Sequence, residues 1–495
     1  MKIPSFARET LLRIGSAPIL PGMRSIPVRP LAFLLIALVA PLATACLHVP
    51  PAPLSPADSA DRIESRSLAD PALRFFLSER LAQPVDAWPR PRWSVEDLTL
   101  VAIYFNPTLR VAQAGFEVAR SHEKTAAQRP NPSLQIQPQY YVNNVASGVP
   151  PWLSVFNLNW TFETGSKRAS RIAVAEATTR AAEANQIGAV WQTRGELTQA
   201  AIALRSADAR QTRRARILEL LGQRATLLEH RFAEGAASQN DLTLARQARL
   251  LAETLLATSV RAEAEARARL AAALGLPRGS LEGDSLAYDL ETEPASWTDA
   301  AALDAVTARH AAMLGRSDVL AGLADYDAAE ANLRLQLAQQ YPNIVFGPSY
   351  QYDQGGHLWG LNLSLNLPLL SRNEGGIEEA AAARSQTAAR FEALQTRVLS
   401  EVDGATAALE GARGERTRTD ELVRGSDQQA AYAARALAAG ASDRATYLAA
   451  ELTREDVGLL AIDADERVKL AIARLELAVR PLGPIDSILS ASAAP

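Results

Sequence analysis

The stretch Gly360-Leu361-Asn362-Leu363-Ser364-Leu365-Asn366-Leu367-Pro368-Leu369 places Leu at every second position, with a small, polar or Pro residue between. A period of two is the pattern of a strand with one apolar and one polar face. Val155-Phe156-Asn157-Leu158-Asn159-Trp160-Thr161-Phe162 does the same, with Phe156, Leu158, Trp160 and Phe162 against smaller or polar partners. Each run follows an earlier strand-like run, Leu134–Val142 or Ile344–Tyr352, across a Gly-containing loop. Residues 131–165 and 341–371 therefore predict two β-hairpins. The two segments carry Glu163 and Asp353 as their only Asp, Glu, Lys or Arg, yet hold Trp152, Trp160 and Trp359. Their polar positions are Asn, Ser, Thr and Gly, not the Lys and Glu of a solvated face. Strands of about 9–11 residues with this patterning match tilted transmembrane β-strands. On this reading Phe156, Leu158, Trp160, Phe162, Leu361, Leu363, Leu365 and Leu367 face lipid, and the Asn/Ser/Thr side faces a lumen. A soluble hairpin covering a core is the competing reading. Four strands cannot close a barrel, and an open edge is not viable in lipid. The chain must then oligomerise, two copies giving eight strands and three giving twelve.

Outward from the hairpins, the chain repeats itself. Pro132-x5-Pro138-x-Tyr140 recurs as Pro342-x5-Pro348-x-Tyr350, and Leu158-Asn159-Trp160 as Leu365-Asn366-Leu367. Arg231-Phe232-Ala-Glu-Gly235 recurs as Arg435-Ala436-Leu437-Ala-Ala439-Gly440. Landmarks in the same order, with a slowly drifting offset, mark an internal duplication. After each hairpin comes a long Pro-free stretch rich in Ala, Glu and Arg: Lys167–His230, then about Ile377 to Arg435. Sixty-four residues of unbroken helix would reach about 96 Å, roughly three times the hydrocarbon thickness of a bilayer. Gly165 and Gly195 leave its start and middle open to interruption. Each long helix ends at a Gly-containing turn, and a returning helix closes near Gly275-Leu-Pro277 or Arg480-Pro481. The predicted organisation opens each repeat with a helix before its hairpin: a first repeat at 96–277, with its tip turn at 231–241, and a linker at 278–297. A second repeat follows at 298–481, with its tip turn at 435–447, and then a tail at 482–495. A coiled coil alone would not account for the hairpins.

The N-terminus reads as an address. Arg24 and Arg29 precede the uncharged run Leu31–Ala45, which ends in small residues before Cys46. This is the form of a secretory signal, and the run is short for a membrane-spanning helix. Residues 1–45 are thus expected to be removed, with Met23 a possible true start. Leu42-Ala-Thr-Ala-Cys46 resembles a lipobox, which would make Cys46 a lipidated (palmitate-bearing) N-terminus; an ordinary signal with an incidental Cys is the alternative. Pro50-Pro51-Ala-Pro53-Leu-Ser-Pro56 reads as a tether opening the N-terminal segment 46–95.

Composition removes other classes. The formal net charge of -4 offers no basic excess for nucleic acid. A single Cys excludes an intramolecular disulfide and a thiolate metal site. The five His are scattered, and there is no P-loop, G-x-S-x-G or H-E-x-x-H. No cofactor or metal site is expected, and the chain does not read as an enzyme.

The pattern of strand pair, long helix, turn and returning helix, twice over, resembles the TolC family of outer-membrane efflux proteins over nearly the whole mature chain. Thr164-Gly165-Ser166-Lys167-Arg168-Ala-Ser-Arg171-Ile-Ala-Val-Ala-Glu-Ala177 is similar to the post-hairpin motif of the cobalt–zinc–cadmium, CzcC-like branch. Leu367-Pro368-Leu369-Leu370-Ser371-Arg372-Asn373-Glu374-Gly375-Gly376 resembles that family's strand-to-helix junction. The resemblance implies a mostly α protomer with a membrane β-barrel portion, and a homotrimer with a twelve-stranded barrel on an α-helical periplasmic tunnel. It implies residence in the outer membrane of a Gram-negative bacterium. It further implies docking to a periplasmic adaptor (membrane fusion) protein and an inner-membrane RND pump, with metal cations as cargo. Drug or organic-solute efflux, or a non-transport structural envelope lipoprotein, are the alternatives.

Arg231-Phe232-x-x-Gly235-x5-Asp241 resembles the family's periplasmic tip turn, where an Asp lines the entrance. Asp241 equally suits the N-terminus of the returning helix. In the second copy Thr446 stands at the Asp241 position and Asp443 is the nearby acid. Arg231, Phe232, Gly235, Asp241, Gly440 and Asp443 are therefore the expected tip and adaptor-contact residues.

Overall fold

The structure, a computed structural model, describes residues 49–81, 87–90, 92–142, 146–281, 287–288 (backbone only) and 304–479. The signal, Cys46 and the 482–495 tail lie outside the described residues. The chain divides into a unit of residues 1–60 and a unit of residues 61–495. In the first, residues 49–55 are exposed and without regular structure, and α1 (Pro56–Glu64) begins.

The second unit continues with α2 (Pro71–Arg80), β1 (Arg92–Trp93), α3 (Val95–Phe105) and α4 (Pro107–Ala126). The first hairpin is β2 (Ser133–Tyr140) and β3 (Trp152–Phe162), followed by α5 (Lys167–Ala233) and α6 (Gln239–Leu274). A 3₁₀ turn at Arg278–Leu281 leads to β4 (Ala287–Tyr288). The second repeat runs α7 (Ala305–Gly315), α8 (Ser317–Ala338), β5 (Ile344–Asp353), β6 (Gly356–Leu365), α9 (Glu374–Ala438) and α10 (Arg444–Val479). Two predictions need correction. The helix expected before each hairpin is a pair, α3/α4 and α7/α8. The 278–297 segment, read as a linker, supplies β4, which pairs in parallel with β1.

The four hairpin strands form one antiparallel sheet in the order β2-β3-β5-β6, so the two repeats join through β3 and β5. Gly347 leaves room for β3 beside β5: a Cβ there would lie 1.6 Å from the Leu158 carbonyl oxygen. Strand β6 stops at Leu365, short of the sequence reading, because residues 366–373 turn into α9. Leu367 is exposed but lies two residues past the strand.

Helix α5 has 67 residues and α9 has 65, each about 100 Å long at 1.5 Å per residue. α5 runs through Gly195 without a break. That glycine lets α10 approach, since a Cβ would meet Leu477 at 3.0 Å. α5 packs against the shorter helices α4 and α6 of its own repeat and also against α8 and α10, which pack on α9 as well. The shorter helices are stacked end to end, and the joints are built alike. Asn106 caps α4 by accepting from Thr108 N, while its Nδ2 donates to Ala273 O at the end of α6 at 2.8 Å. Arg66 Nη1 donates to Phe105 O and Gly275 O beside it. In the second repeat Arg316, at the start of α8, donates to Ala478 O near the end of α10 at 2.9 Å. Carbonyls at a helix end that lack intrahelical partners are thus satisfied by donors from the next helix in the stack.

Alanine lets the helices pack closely, and the cores cross between the repeats. One gathers Leu73, Trp93, Leu98, Leu197 and Leu270; a second gathers Ala312, Val398, Val402, Ile472 and Val479 with Ile202 of α5; a third joins Ile217 and Ala252 to Leu459 of α10.

Candidate functional site

The cross-strand register sorts the sheet into two faces. One carries Leu134, Ile136 and Tyr140; Trp152, Phe156, Leu158, Trp160 and Phe162; Ile344, Phe346, Tyr350 and Tyr352; and Trp359, Leu361, Leu363 and Leu365. The other carries Gln135, Gln137, Asn157, Asn159, Ser349, Asn362 and Ser364, and Asn362 Nδ2 donates to Asn159 Oδ1 at 3.0 Å. All seven sequence-assigned apolar residues that fall within strands share the first face. Trp359 is 79% exposed and Leu361 74%. A continuous apolar surface of this extent marks contact with another protein or with lipid. Aromatic rings gather towards the hairpin-loop end: Tyr140 against Trp152, Tyr350 against Trp359, and Tyr350 Oη with His357 Nδ1 at 2.6 Å. Phe162 stacks on Phe346 at the opposite end. β2 and β6 are the edges of this sheet, each with one pairing side open within the chain.

Where sheet becomes helix, the Thr164–Arg171 motif has a specific task. Ser166 and Asn373 both adopt left-handed φ, 62° and 63°, at the N-termini of α5 and α9, and so turn each strand into its helix. Lys167 Nζ donates to Tyr341 O and Asn343 Oδ1, both at 2.6 Å. Arg168 donates to Ala127 O, and Arg171 to Ala126 O and Gln128 O, satisfying the C-terminal end of α4. Arg171 also holds Glu163 at 2.7 Å. Asn373 Nδ2 donates to Gln336 O, the corresponding service to α8. The motif was visible in the sequence, but which carbonyls it serves was not.

At the far end, the two tip turns reverse through Gly235 (φ 72°) and Gly440 (φ 70°). Their hydrogen bonds match: Ala236 N to Arg231 O, and Ala441 N to Ala436 O. Arg231 therefore corresponds to Ala436, and Arg435 lies one residue out of register. Ser238, not Asp241, caps α6; Asp241 is the reciprocal partner of a capping box, accepting from Ser238 N and Oγ. Those hydrogen bonds hold the Asp241 carboxyl below the ordinary Asp range. In the second turn the roles exchange. Asp443 takes the Ser238 position and accepts from Thr446 N and Oγ1 at 2.9 and 2.8 Å. Asp443 also meets Arg231 Nη2 at 3.0 Å, so an ion pair joins the two tips. The Thr446 backbone and hydroxyl, then Arg231, lower the Asp443 carboxyl to about 2. Phe232 is 40% exposed beside them.

Between sheet and tips, α5 of the first repeat meets α8 and α10 of the second along the seam between the repeats. Arg194 and Glu476 pair at 2.8 Å, both almost fully buried. Arg210 pairs with Asp463 and Glu466. Among the described residues no cluster of three or more His, Cys, Asp or Glu could hold a metal ion, and no helix is long and apolar enough to cross a membrane.

This fold is that of solved outer-membrane channels. The chain is similar to a membrane protein from Pseudomonas aeruginosa, at 19% identity over 78% of this chain and 93% of that one, with a TM-score of 0.65. It is similar to the outer membrane protein VceC from Vibrio cholerae, at 19% identity over 78% and 95%, with a TM-score of 0.62. The CmeC outer membrane channel of Campylobacter jejuni matches at 13% identity over 90% and 98%, with a TM-score of 0.65. In sequence, residues 308–479, most of the second repeat, match the family model described as outer membrane efflux protein. Comparison with curated protein sequences gives no match.

Proposed function

We propose that the chain is the outer-membrane channel of a tripartite efflux assembly. Three copies close twelve strands into a barrel, and their helices form a conduit that the tips present to a periplasmic adaptor and RND pump. The chain conducts passively; energy comes from the pump. The observation that carries this reading is the four-stranded sheet with one exposed apolar face and two open edges, continuous with helices of about 100 Å. A sheet of this kind is stable in lipid only when its edges are paired by other copies. The family match to the second repeat supports the same reading. Native mass spectrometry of the chain in detergent micelles tests it. Three copies are expected, and a stable monomer would count against it.

The CzcC-like motif at 164–177 favours metal cations as cargo over drugs or other organic solutes. Deletion of the gene should sensitise cells to Co²⁺, Zn²⁺ or Cd²⁺; sensitivity to organic toxicants alone would reverse this choice. Cys46 is proposed as the lipid anchor. Cys46→Ser should abolish incorporation of labelled fatty acid, and persistent labelling would show the anchor to be elsewhere.

A further inference from the structure

Where α5, α9 and α10 run side by side, a half-open chamber of about 270 Å³ lies between them. Small residues make the space: Gly458, Ala461 and Ala209 line it, and a Cβ at position 458 would fall 2.5 Å from Arg213 Cζ. Its charged lining is four cations, Arg205, Arg213, Arg416 and Lys469, against one carboxylate, Asp465.

Arg213, Arg416 and Lys469 are held in position, and the two guanidiniums have donors to spare. Arg213 Nη1 is anchored on the buried Glu455 at 2.9 Å. Arg416 donates through Nε to Asp420 at 2.8 Å and through Nη1 to Asp465 at 2.6 Å. Lys469 Nζ lies 3.0 Å from the same Asp465. Burial pushes the Asp465 carboxyl up, but Lys469 and Arg416 outweigh it and keep the group ionised. Among the described residues, Arg213 Nε and Nη2 and Arg416 Nη2 make no hydrogen bond. Guanidinium N–H pairs in fixed planes are the geometry that phosphate and carboxylate oxygens fit. Arg210, nearby on α5, differs: it is engaged by both Asp463 and Glu466 and does not line the chamber.

We infer that this chamber is a binding site for a small anion bearing a phosphate or carboxylate group, held by Arg213, Arg416 and Lys469. Asp465 shares Arg416 and Lys469 with the incoming anion and keeps both side chains in place. A bare divalent cation meets like charge here. The site stands on the helical seam alone, whatever solute the chain conducts.

Isothermal titration of the full chain in detergent, once with inorganic phosphate and once with citrate, tests the site and separates the two anion chemistries. Saturable binding of at least one is expected. Arg416→Gln and Lys469→Gln should each weaken it tenfold or more, while Arg334→Gln, exposed on α8, should leave it unchanged. Ala461→Phe fills the chamber without altering its charge and should abolish binding. Each variant is compared by helical circular dichroism and elution volume, so a folding failure is seen as such. Absence of saturable binding, equal weakening by Arg334→Gln, or full binding by a folded Ala461→Phe protein would each overturn the inference.

Discussion

Asp443 shows how much one side chain can do at a helix start. It caps α10 through Thr446 and reaches across to Arg231, so the second tip is tied to the first by the residue that begins its returning helix. Its carboxyl titrates at about 2 in the folded chain against an ordinary value of 3.8. A depressed carboxylate contributes its stabilisation fully above the unfolded value and loses it as pH falls through the folded one. The link between the tips should therefore be unchanged from pH 8 to pH 5 and fail only between about pH 4 and 2. A distance probe across residues 231 and 443 reads this; loss of the contact near pH 6 would contradict it. Arg194 and Glu476 are the opposite case, a pair shut away from water at the repeat seam. Arg194→Met removes this ion pair from the buried Glu476 and should cost about 3–5 kcal/mol. A thermal melt of the helical signal shows it, and an unshifted melt would mean that the pair is dispensable.

At the scale of elements, the sheet is the clearest case of sequence dictating structure. Alternation in β3 and β6 set both the strands and their faces, because a period of two leaves no freedom once one face is apolar. Leu365, however, is the last residue of β6, paired with Ile344 at the sheet's end, while Leu361 sits mid-strand opposite Pro348. A charge at Leu361 is the sharper probe of the face. Leu361→Arg should impair membrane insertion by about 2–4 kcal/mol, and Asn362→Arg on the polar face should be tolerated. Fractionation of the outer membrane compares them; equal assembly of both variants would refute the assignment of faces. The long helices were also legible, since nothing between Lys167 and Ala233 breaks them. What the sequence hid was how the shorter helices stack. Asn106 and Arg316 hold equivalent joints, yet one is an amide and the other a guanidinium, so the repeat pattern does not flag them. The cations of the Thr164–Arg171 motif were visible without their purpose, because a backbone carbonyl gives no sign in sequence of needing a donor. The Arg231–Asp443 pair was equally hidden: both residues stood out, but on separate turns 212 positions apart.

For the whole molecule, duplication is the governing fact. Two copies of one unit share a single sheet through β3 and β5 and a helical seam of α5 against α8 and α10, and both β-edges remain open. Open edges and an exposed apolar face are liabilities in water and requirements in a membrane that other copies complete. The proposed pore would exist only when several copies assemble. Planar-bilayer conductance of the purified assembly tests this most directly. It predicts discrete ohmic openings from the oligomer and none from protomers held apart by detergent. An oligomer that inserts into the bilayer yet passes no current under any condition would contradict it.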